Sequence, residues 1–409
     1  MSIAHRYLLR LTAFLTALFV LVLSAQASGP DLISAQEAAA VGSFDGQASA
    51  PTISAQEAIL VEESGLVLYA HNADTRMPMA STTKIMTALT LLSDGVDLSD
   101  LVTVDAAAVG VEGSSIYLYE GERLTYGQLM DALLMESAND AATALAVANA
   151  GSVDAFAEKM NACADALGLR DTHFVNPHGL AHEAHYTTAR ELSVIARAAM
   201  QYEAFRASVS CYKKEIPLRG SEGVRLLINH NKLLKTLDGC IGIKTGYTKS
   251  SGRCLVSACE RGGVTLYCVT LAAPDDWQDH VALYEWGFAQ AERVTLTEVG
   301  EQFCSIPVVG GIDADGNAPD ADEVLHVSVK NTDAVTAVLP RDHAEIRKEV
   351  RLPRFLYAPV RAGDAVGCVV YTDGGDLSVQ VPLYACETIL AYEKPSLWQR
   401  LKTILKIFD

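Results

Sequence analysis

The amino-acid pattern changes near residue 293, and this change indicates two regions of different architecture. Before it, segments with apolar residues at helical spacing alternate with short apolar runs that are typical of buried strands. After it, Val, Thr and Gly alternate with charged residues, helical periodicity fades, and turns recur at Gly310-Gly311 and Gly374-Gly375. We therefore predict a mixed α/β domain over 51–292 and a smaller β-rich domain over 293–390.

The first region contains a recognisable order of elements. Two apolar runs around a polar turn predict a hairpin from Ala58–Val61 and Leu66–Ala70, and apolar residues at helical spacing predict a helix over Met79–Leu92. The same patterns predict helices near 125–135, 139–150, 153–167, 188–202 and 277–289, and strands near 241–247, 253–259 and 264–271.

Composition limits the possible function. The chain has 409 residues, half of them apolar, and a net charge of −18 at pH 7. Such an acidic surface repels phosphate backbones, so we expect no nucleic-acid partner. The nine cysteines are scattered, odd in number and without a C-x-x-C pair, which is a poor pattern for a disulfide framework or a zinc ribbon. We interpret most of them as small buried apolar residues.

The N-terminus is typical of an exported protein. Arg6 and Arg10 precede the apolar run Leu11–Leu23, and small residues follow at Ala25 and Ala27. We predict a signal peptide over 1–27, with a retained membrane anchor as the alternative, followed by a linker over 28–50.

The C-terminal residues 391–409 are predicted to contain a membrane-association helix. Within 395–409, apolar residues including Trp398 and Phe408 share one face and basic residues lie around the other. This pattern favours a helix lying in the plane of a membrane surface, and docking on protein is the alternative.

A first chemical motif is Ser81 with Lys84, three positions apart near the start of the Met79–Leu92 helix, so that both side chains share one face. A lysine amine can activate a serine hydroxyl only when it is neutral. At an ordinary lysine pKa of about 10.4 very few amines are neutral at pH 7, so this hypothesis requires burial or a second cation to lower the pKa. Ser-x-x-Lys alone is weak, because serine also caps helices.

Two further motifs follow. Ser137–Asn139 (Ser-Ala-Asn) offers a hydroxyl and an amide in a short loop, with a helix cap as the alternative. Lys244–Gly246 (Lys-Thr-Gly) lies in the predicted strand 241–247, where Gly246 would let a ligand backbone approach as an added strand. A surface strand with a solvated lysine is the alternative.

The three motifs together, in this order, resemble the active-site signature of penicillin-recognising serine enzymes. Their local sequences, and Asn-Pro-His-Gly-Leu at 176–180, look like the D-alanyl-D-alanine carboxypeptidase family of low-molecular-mass penicillin-binding proteins over about residues 52–290. The resemblance implies an α/β (α+β) catalytic domain of the serine β-lactamase/DD-peptidase type, with an antiparallel sheet between helices. A β-rich domain and a C-terminal amphipathic helix complete the implied layout.

The resemblance also implies roles for the catalytic residues. Ser81 would attack the carbonyl between two terminal D-alanines, Lys84 would act as the base, and Ser137 would relay the proton to the leaving D-alanine. Peptidoglycan pentapeptide stems would be the substrates and β-lactams the inhibitors, with neither cofactor nor metal.

The remaining motif residues would bind the substrate. Asn139 would hold the base and the substrate amide, and Lys244 with Thr245 would bind the terminal carboxylate. The backbone N–H of Tyr247, beside Gly246, would form the oxyanion hole with that of the nucleophile. Since strand alternation separates Lys244 from Thr245, a twist or a reaching side chain is required.

Several alternatives stay open at this point. A D,D-endopeptidase is the nearest, and a non-catalytic penicillin-binding scaffold is disfavoured by the intact motifs. A β-lactamase is disfavoured because Glu-x-x-Leu-Asn is missing between the second and third motifs. The Ala272–Trp277 stretch lacks an arginine that some relatives use for the carboxylate, and Glu136 has no assigned role. The spacing of His178, His182 and His185 does not favour a metal site.

Overall fold

The computed structural model describes residues 50–218, 223–313, 316–317, 324–341, 343–373 and 377–392. The predicted signal peptide and the amphipathic segment 395–409 lie outside these residues. The chain divides into two compact units, one ending at Ala289 and the other beginning at Gln290. None of the helices in the described residues combines the length and the apolar character that a membrane crossing requires.

The strands of the first unit follow the chain in the order β1 (Glu57–Glu62), β2 (Val67–His71), β3 (Leu101–Thr103), β4 (Arg123–Thr125), β5 (Lys213–Leu218), β6 (Gly223–Ile228), β7 (Cys240–Thr248), β8 (Gly252–Arg261) and β9 (Val264–Leu271). Five of them form one antiparallel sheet in the order β2-β1-β9-β8-β7. All of β9 is buried, because the strand lies between β1 and β8 and both faces of the sheet are covered. The pairs β3-β4 and β5-β6 stand apart from this sheet.

The helices are α1 (Lys84–Ser93), α2 (Tyr126–Met135), α3 (Asn139–Ala150), α4 (Val153–Ala166), α5 (Ala189–Met200), α6 (Glu203–Ser210), α7 (Leu233–Thr236) and α8 (Asp276–Gln290). Their starts follow recognisable signals. Thr125 and Gln128 form a capping box at α2, and Ser152 and Thr188 cap α4 and α5 through their side chains. The predicted Met79–Leu92 helix begins as a 3-10 turn, Ala80–Thr83, before α1.

Helices cover both faces of the five-stranded sheet, as β1 shows. Ile59 and Val61 belong to the core that the sheet shares with α1 to α5. Leu60 points the other way, toward α8, where a Cβ on Gly287 would lie 2.5 Å from its side chain. The alternation of the strand thus serves two apolar layers, and the expected α/β architecture with an antiparallel sheet between helices is confirmed for this unit.

The second unit contains β10 (Ala291–Thr297), β11 (Gln302–Val309), β12 (Leu325–Lys330), β13 (Val335–Pro340), β14 (Arg347–Arg351), β15 (Leu356–Tyr357), β16 (Ala365–Thr372) and β17 (Ser378–Ala385). Six of these form a sheet in the order β14-β16-β17-β12-β11-β15, and β10 pairs with β13. Its own core includes Val327, Val369 and Leu383.

The cysteines differ from the sequence expectation. All nine are free thiols, but Cys254, Cys259 and Cys268 are the buried ones, Cys304 is exposed and the others are partly buried. The buried three lie on β8 and β9, where both faces of the sheet are covered. The prediction that most cysteines are buried is therefore wrong, because the others lie at element ends, on helix sides or in the second unit.

Candidate active site

Ser81 and Lys84 are in contact. Ser81 lies on the 3-10 turn that leads directly into α1, and Lys84 Nζ is 3.0 Å from Ser81 Oγ. Two more oxygens approach the same amine, Asn139 Oδ1 at 2.7 Å and the carbonyl oxygen of His178 at 2.6 Å. The amine therefore has three oxygen neighbours from three separate segments.

These neighbours fix the direction in which an uncharged Lys84 amine can act. The Asn139 amide oxygen and the His178 carbonyl oxygen only accept hydrogen bonds, so each takes one N–H. In a neutral amine the remaining position on the nitrogen is the lone pair, which then points toward Ser81 Oγ. The arrangement aims a base at the hydroxyl.

The surroundings of Lys84 also favour its neutral form. Its side chain is completely buried. Burial is the main cause that lowers the pKa of Lys84 well below its usual value, the positive charge of Lys244 lowers it further, and Asp140 acts in the opposite direction. These are the two causes that the sequence argument required.

The loop between α2 and α3 orients Asn139. Ser137 adopts a left-handed conformation at φ +60°, and Asn139 begins α3 without capping it through its side chain. Its Nδ2 donates to the Glu112 carbonyl at 2.5 Å, and its backbone N–H donates to the Ser114 carbonyl at 2.7 Å. Asn139 therefore presents its amide oxygen to Lys84, and the helix-cap alternative does not apply to it.

Asp140 holds the chain segment against which Asn139 is oriented. Its carboxylate accepts hydrogen bonds from the backbone N–H groups of Ile116 and Leu118 at 3.2 and 3.0 Å, and from Ser115 Oγ at 2.6 Å. The segment that supplies the Glu112 and Ser114 carbonyls is thereby fixed from its other end.

Strand β7 passes beside the nucleophile turn. A Cβ on Gly246 would lie 3.1 Å from both the Met79 carbonyl oxygen and the Ser81 nitrogen, so a side chain at this position would push the turn away. We expected Gly246 to admit a ligand backbone, but the contact that requires glycine is with the chain's own turn. Among the described residues β7 pairs only with β8, which leaves its outer edge available to an added strand.

Lys244 reaches across its strand. Its side chain is buried, and its Nζ donates to the Thr245 carbonyl oxygen at 2.9 Å, so the ammonium folds back beside the next residue. Burial lowers the pKa of Lys244 to about 7. The Tyr247 side chain further along β7 is 67% exposed.

The turn Asn176–Leu180 supplies the third oxygen around Lys84. Asn176 Oδ1 accepts from the backbone N–H groups of His178 and Gly179 at 3.2 and 2.7 Å. Gly179 has φ +88°, and a Cβ there would lie 1.9 Å from the Ala80 carbonyl oxygen. Sequence reasoning missed the His178 carbonyl because a main-chain group has no residue signature, although the Asn-Pro-His-Gly turn marked the place.

Backbone strain lies directly before the nucleophile. Ala80 has φ +48°, a left-handed conformation that costs about 1–3 kcal/mol in a residue with a side chain. Thr83 Oγ1 donates to the Ala80 carbonyl oxygen at 2.7 Å, and the buried ring of His185 reaches Thr83 Oγ1 at 2.8 Å.

The three histidines of the 178–185 stretch have separate contacts. His182 Nδ1 accepts from the Ala184 N–H at 3.1 Å, while His178 and His185 contact the nucleophile region as described above. No group of three potential metal-binding side chains occurs in the part of the chain that the structure describes.

Glu136, which the sequence left unassigned, connects the second motif to β6. Its carboxylate accepts from the Ile228 N–H at 2.6 Å and lies 3.4 Å from His230 Nε2. Burial lowers the pKa of His230, and the charge of Lys244 lowers it further, whereas Glu136 acts in the opposite direction. Glu136 thus anchors the end of the β5-β6 hairpin, next to His230, whose pKa depends on the charge of Lys244.

Comparison with known proteins gives consistent matches to both units. A family described as D-alanyl-D-alanine carboxypeptidase matches residues 45–275, and the C-terminal domain of penicillin-binding protein 5 matches residues 292–390. The chain is similar to D-alanyl-D-alanine carboxypeptidase DacA of Escherichia coli K12, with 32% identity over 83% of this chain and 84% of that protein. It is 29% identical to DacF of Bacillus subtilis over 81% of this chain and 85% of that one.

Solved structures show the same similarity. Penicillin-binding protein 5 from Haemophilus influenzae matches with a TM-score of 0.64 and 26% identity, over 84% of this chain and 99% of that one.

Proposed function

The chain belongs to the D-alanyl-D-alanine carboxypeptidase family, and from this premise we propose that Ser81 is the nucleophile with which it removes the terminal D-alanine of peptidoglycan stem peptides. It is a serine-type hydrolase, as its family is. The observation that carries the assignment to Ser81 is its 3.0 Å contact with a buried lysine amine.

Lys84 is proposed as the base of the acylation step. Its lone pair takes the proton of Ser81 Oγ while the oxygen attacks the carbonyl carbon of the penultimate D-alanine. The resulting tetrahedral intermediate collapses when its C–N bond breaks. The proton passes from Lys84 through the Ser137 hydroxyl to the leaving amine, which departs as free D-alanine.

The edge of β7 is proposed to bind the substrate. The ammonium of Lys244 and the hydroxyl of Thr245 receive the terminal carboxylate, and Asn139 receives the substrate amide. The backbone N–H groups of Ser81 and Tyr247 stabilise the oxyanion, and each such donor contributes about 2.7–4 kcal/mol to lowering the barrier. The proximity of Gly246 to the Ser81 nitrogen supports this arrangement.

Hydrolysis of the ester completes the cycle. Water attacks the acyl carbon and gives its proton to Lys84, the bond between this carbon and Ser81 Oγ breaks, and the serine oxygen recovers the proton. A β-lactam enters by the same first step, because its ring amide takes the place of the scissile bond, and it leaves slowly as its leaving group stays attached.

Ser81→Ala tests the assignment. We expect wild-type protein to be labelled by a fluorescent penicillin and to release D-alanine from a peptide ending in D-Ala-D-Ala, and the variant to do neither. Equal labelling of the two proteins would contradict the proposal.

We also propose that the chain is exported by residues 1–27 and associates with a membrane surface through residues 395–409. Only the sequence supports this, through a basic and apolar start and a segment with one apolar and one basic face. We expect the chain from residue 28 onward to sediment with anionic vesicles and its Leu401→Asp variant to remain in the supernatant. Equal binding of the two proteins would contradict the proposed membrane association.

A further inference from the structure

A chain of hydrogen bonds runs from His185 to the turn that carries Ser81. The Val175 N–H donates to His185 Nδ1 at 3.0 Å. His185 Nε2 lies 2.8 Å from Thr83 Oγ1, and that hydroxyl donates to the Ala80 carbonyl oxygen at 2.7 Å. His185 and Thr83 are buried, so these bonds are protected from water.

Each bond in this chain has one possible direction. A backbone N–H only donates, so His185 Nδ1 is the acceptor and carries no proton. The proton of the neutral ring is therefore on Nε2, which donates to Thr83 Oγ1. The hydroxyl then has its own proton left for the Ala80 carbonyl, which only accepts. Burial lowers the pKa of His185 to about 3, which keeps the ring in this neutral form at neutral pH.

The Ala80 carbonyl and the Ser81 N–H belong to the same peptide group. Because that group is planar and trans, the two point in opposite directions, and a hydrogen bond that fixes the carbonyl also fixes the N–H. The backbone of Gly179 closes in on the carbonyl side, while Gly246 of β7 lies beside the Ser81 nitrogen. The peptide is held between two glycines and oriented by Thr83.

We propose that His185 is a positioning residue for acylation: through Thr83 it holds the Ala80–Ser81 peptide in its strained orientation and so aims the Ser81 N–H at the oxyanion. This rests on the proposed function of Ser81. A role of this kind affects the transition state, in which the oxyanion exists, more than the initial binding of the substrate.

Two substitutions at His185 distinguish the hydrogen bond of Nδ1 from that of Nε2. In His185→Asn the amide can still accept from Val175 but is too short to reach Thr83. In His185→Gln the longer side chain can still donate to Thr83. We expect the first-order acylation rate with a chromogenic penicillin to fall about 10- to 100-fold in His185→Asn, less than the loss of a whole oxyanion donor. It should stay within about 3-fold in His185→Gln, and the dissociation constant of the preceding non-covalent complex should change little in either.

His280 offers a matched control, since it is also completely buried and both its ring nitrogens bond hydroxyls. They lie 2.6 Å from Ser257 Oγ and 2.9 Å from Thr270 Oγ1, between α8 and the sheet. His280→Asn should lower the melting temperature while leaving the acylation rate per folded molecule unchanged.

Thr83→Val and Thr83→Ser test the same link from the other side, and they serve if His185→Asn does not fold. Valine should reproduce the rate loss and serine should restore the rate. Normal acylation by folded His185→Asn or Thr83→Val, an equal loss in the Asn and Gln variants, or a loss confined to initial binding would each overturn the positioning role. Labelling of Ser81→Ala would instead refute the nucleophile assignment, so the two failures are distinguishable.

Discussion

The two buried lysines of the first unit, Lys84 and Lys244, are held in different ways. Lys84 Nζ contacts three oxygens from three separate segments. Among the described residues, Lys244 Nζ has one hydrogen-bond acceptor, the carbonyl of its own neighbour Thr245. The acceptors around Lys84 leave the lone pair of its neutral amine directed at Ser81 Oγ. The Lys244 ammonium instead keeps N–H donors for a ligand.

This difference suits a base on one side and an anion-binding cation on the other. Lys84 is useful when neutral, and burial together with the charge of Lys244 lowers its pKa. Lys244 is useful when charged, and an incoming carboxylate would raise its pKa from the value of about 7 that burial alone gives. Substrate binding would thus hold Lys244 in its charged form, paired with the carboxylate.

The largest effect should come from Lys84→Met. Acylation should fall by about 10⁴-fold or more, because the hydroxyl loses its base. Penicillin acylation kinetics measure this loss, and a variant that still acylates at a tenth of the wild-type rate would refute the assignment.

Lys244→Met should have an intermediate effect. We expect kcat/KM for a D-Ala-D-Ala peptide to fall by about 10²- to 10³-fold, because the terminal carboxylate loses its cation. The pKa of Lys84 should rise when the neighbouring charge is removed, and since the base acts when neutral, the acidic limb of the pH–rate profile should move to higher pH. A limb that stays in place would show that the two lysines are not coupled.

A smaller effect is expected from the buried His185. Burial lowers the pKa of His185 to about 3, whereas an unfolded histidine titrates near about 6.5. Between these values the unfolded chain binds more protons, so this residue's contribution to stability is complete above about pH 6.5 and is lost on acidification, by up to about 1.4 kcal/mol per pH unit. His185→Gln should therefore flatten the dependence of the melting temperature on pH between 4 and 6.5, and an unchanged slope would contradict the burial argument.

Side-chain patterns predicted the main elements and identified the side chains of the candidate site. The strands that became β1, β2 and β7 to β9 and the long helices follow from apolar periodicity, because their burial depends on one or two continuous faces. The hairpin β5-β6 was not predicted, because Val224, Leu226 and Ile228 are exposed while each strand buries a single apolar residue, Ile216 or Leu227. The apolar pattern therefore does not mark the face that is buried.

Backbone contributions account for most of what the sequence did not indicate. The His178 carbonyl, the φ of Ala80 and the close approach of Gly179 and Gly246 to the nucleophile turn are set by how distant segments meet. A motif such as Ser-x-x-Lys specifies which side chains are available, but the direction of the Lys84 lone pair depends on oxygens contributed from residues 139 and 178.

The titration of Lys84 is the decisive measurement for a neutral lysine base. Lysines labelled with ¹³C at Cε can be followed by NMR from pH 5 to 11, with the Lys84 signal assigned by its loss in Lys84→Arg. We predict that this signal titrates well below the usual lysine range and moves upward in Lys244→Met. A Lys84 signal that titrates near pH 10.5, or one indifferent to Lys244, would contradict the neutral base on which the mechanism depends.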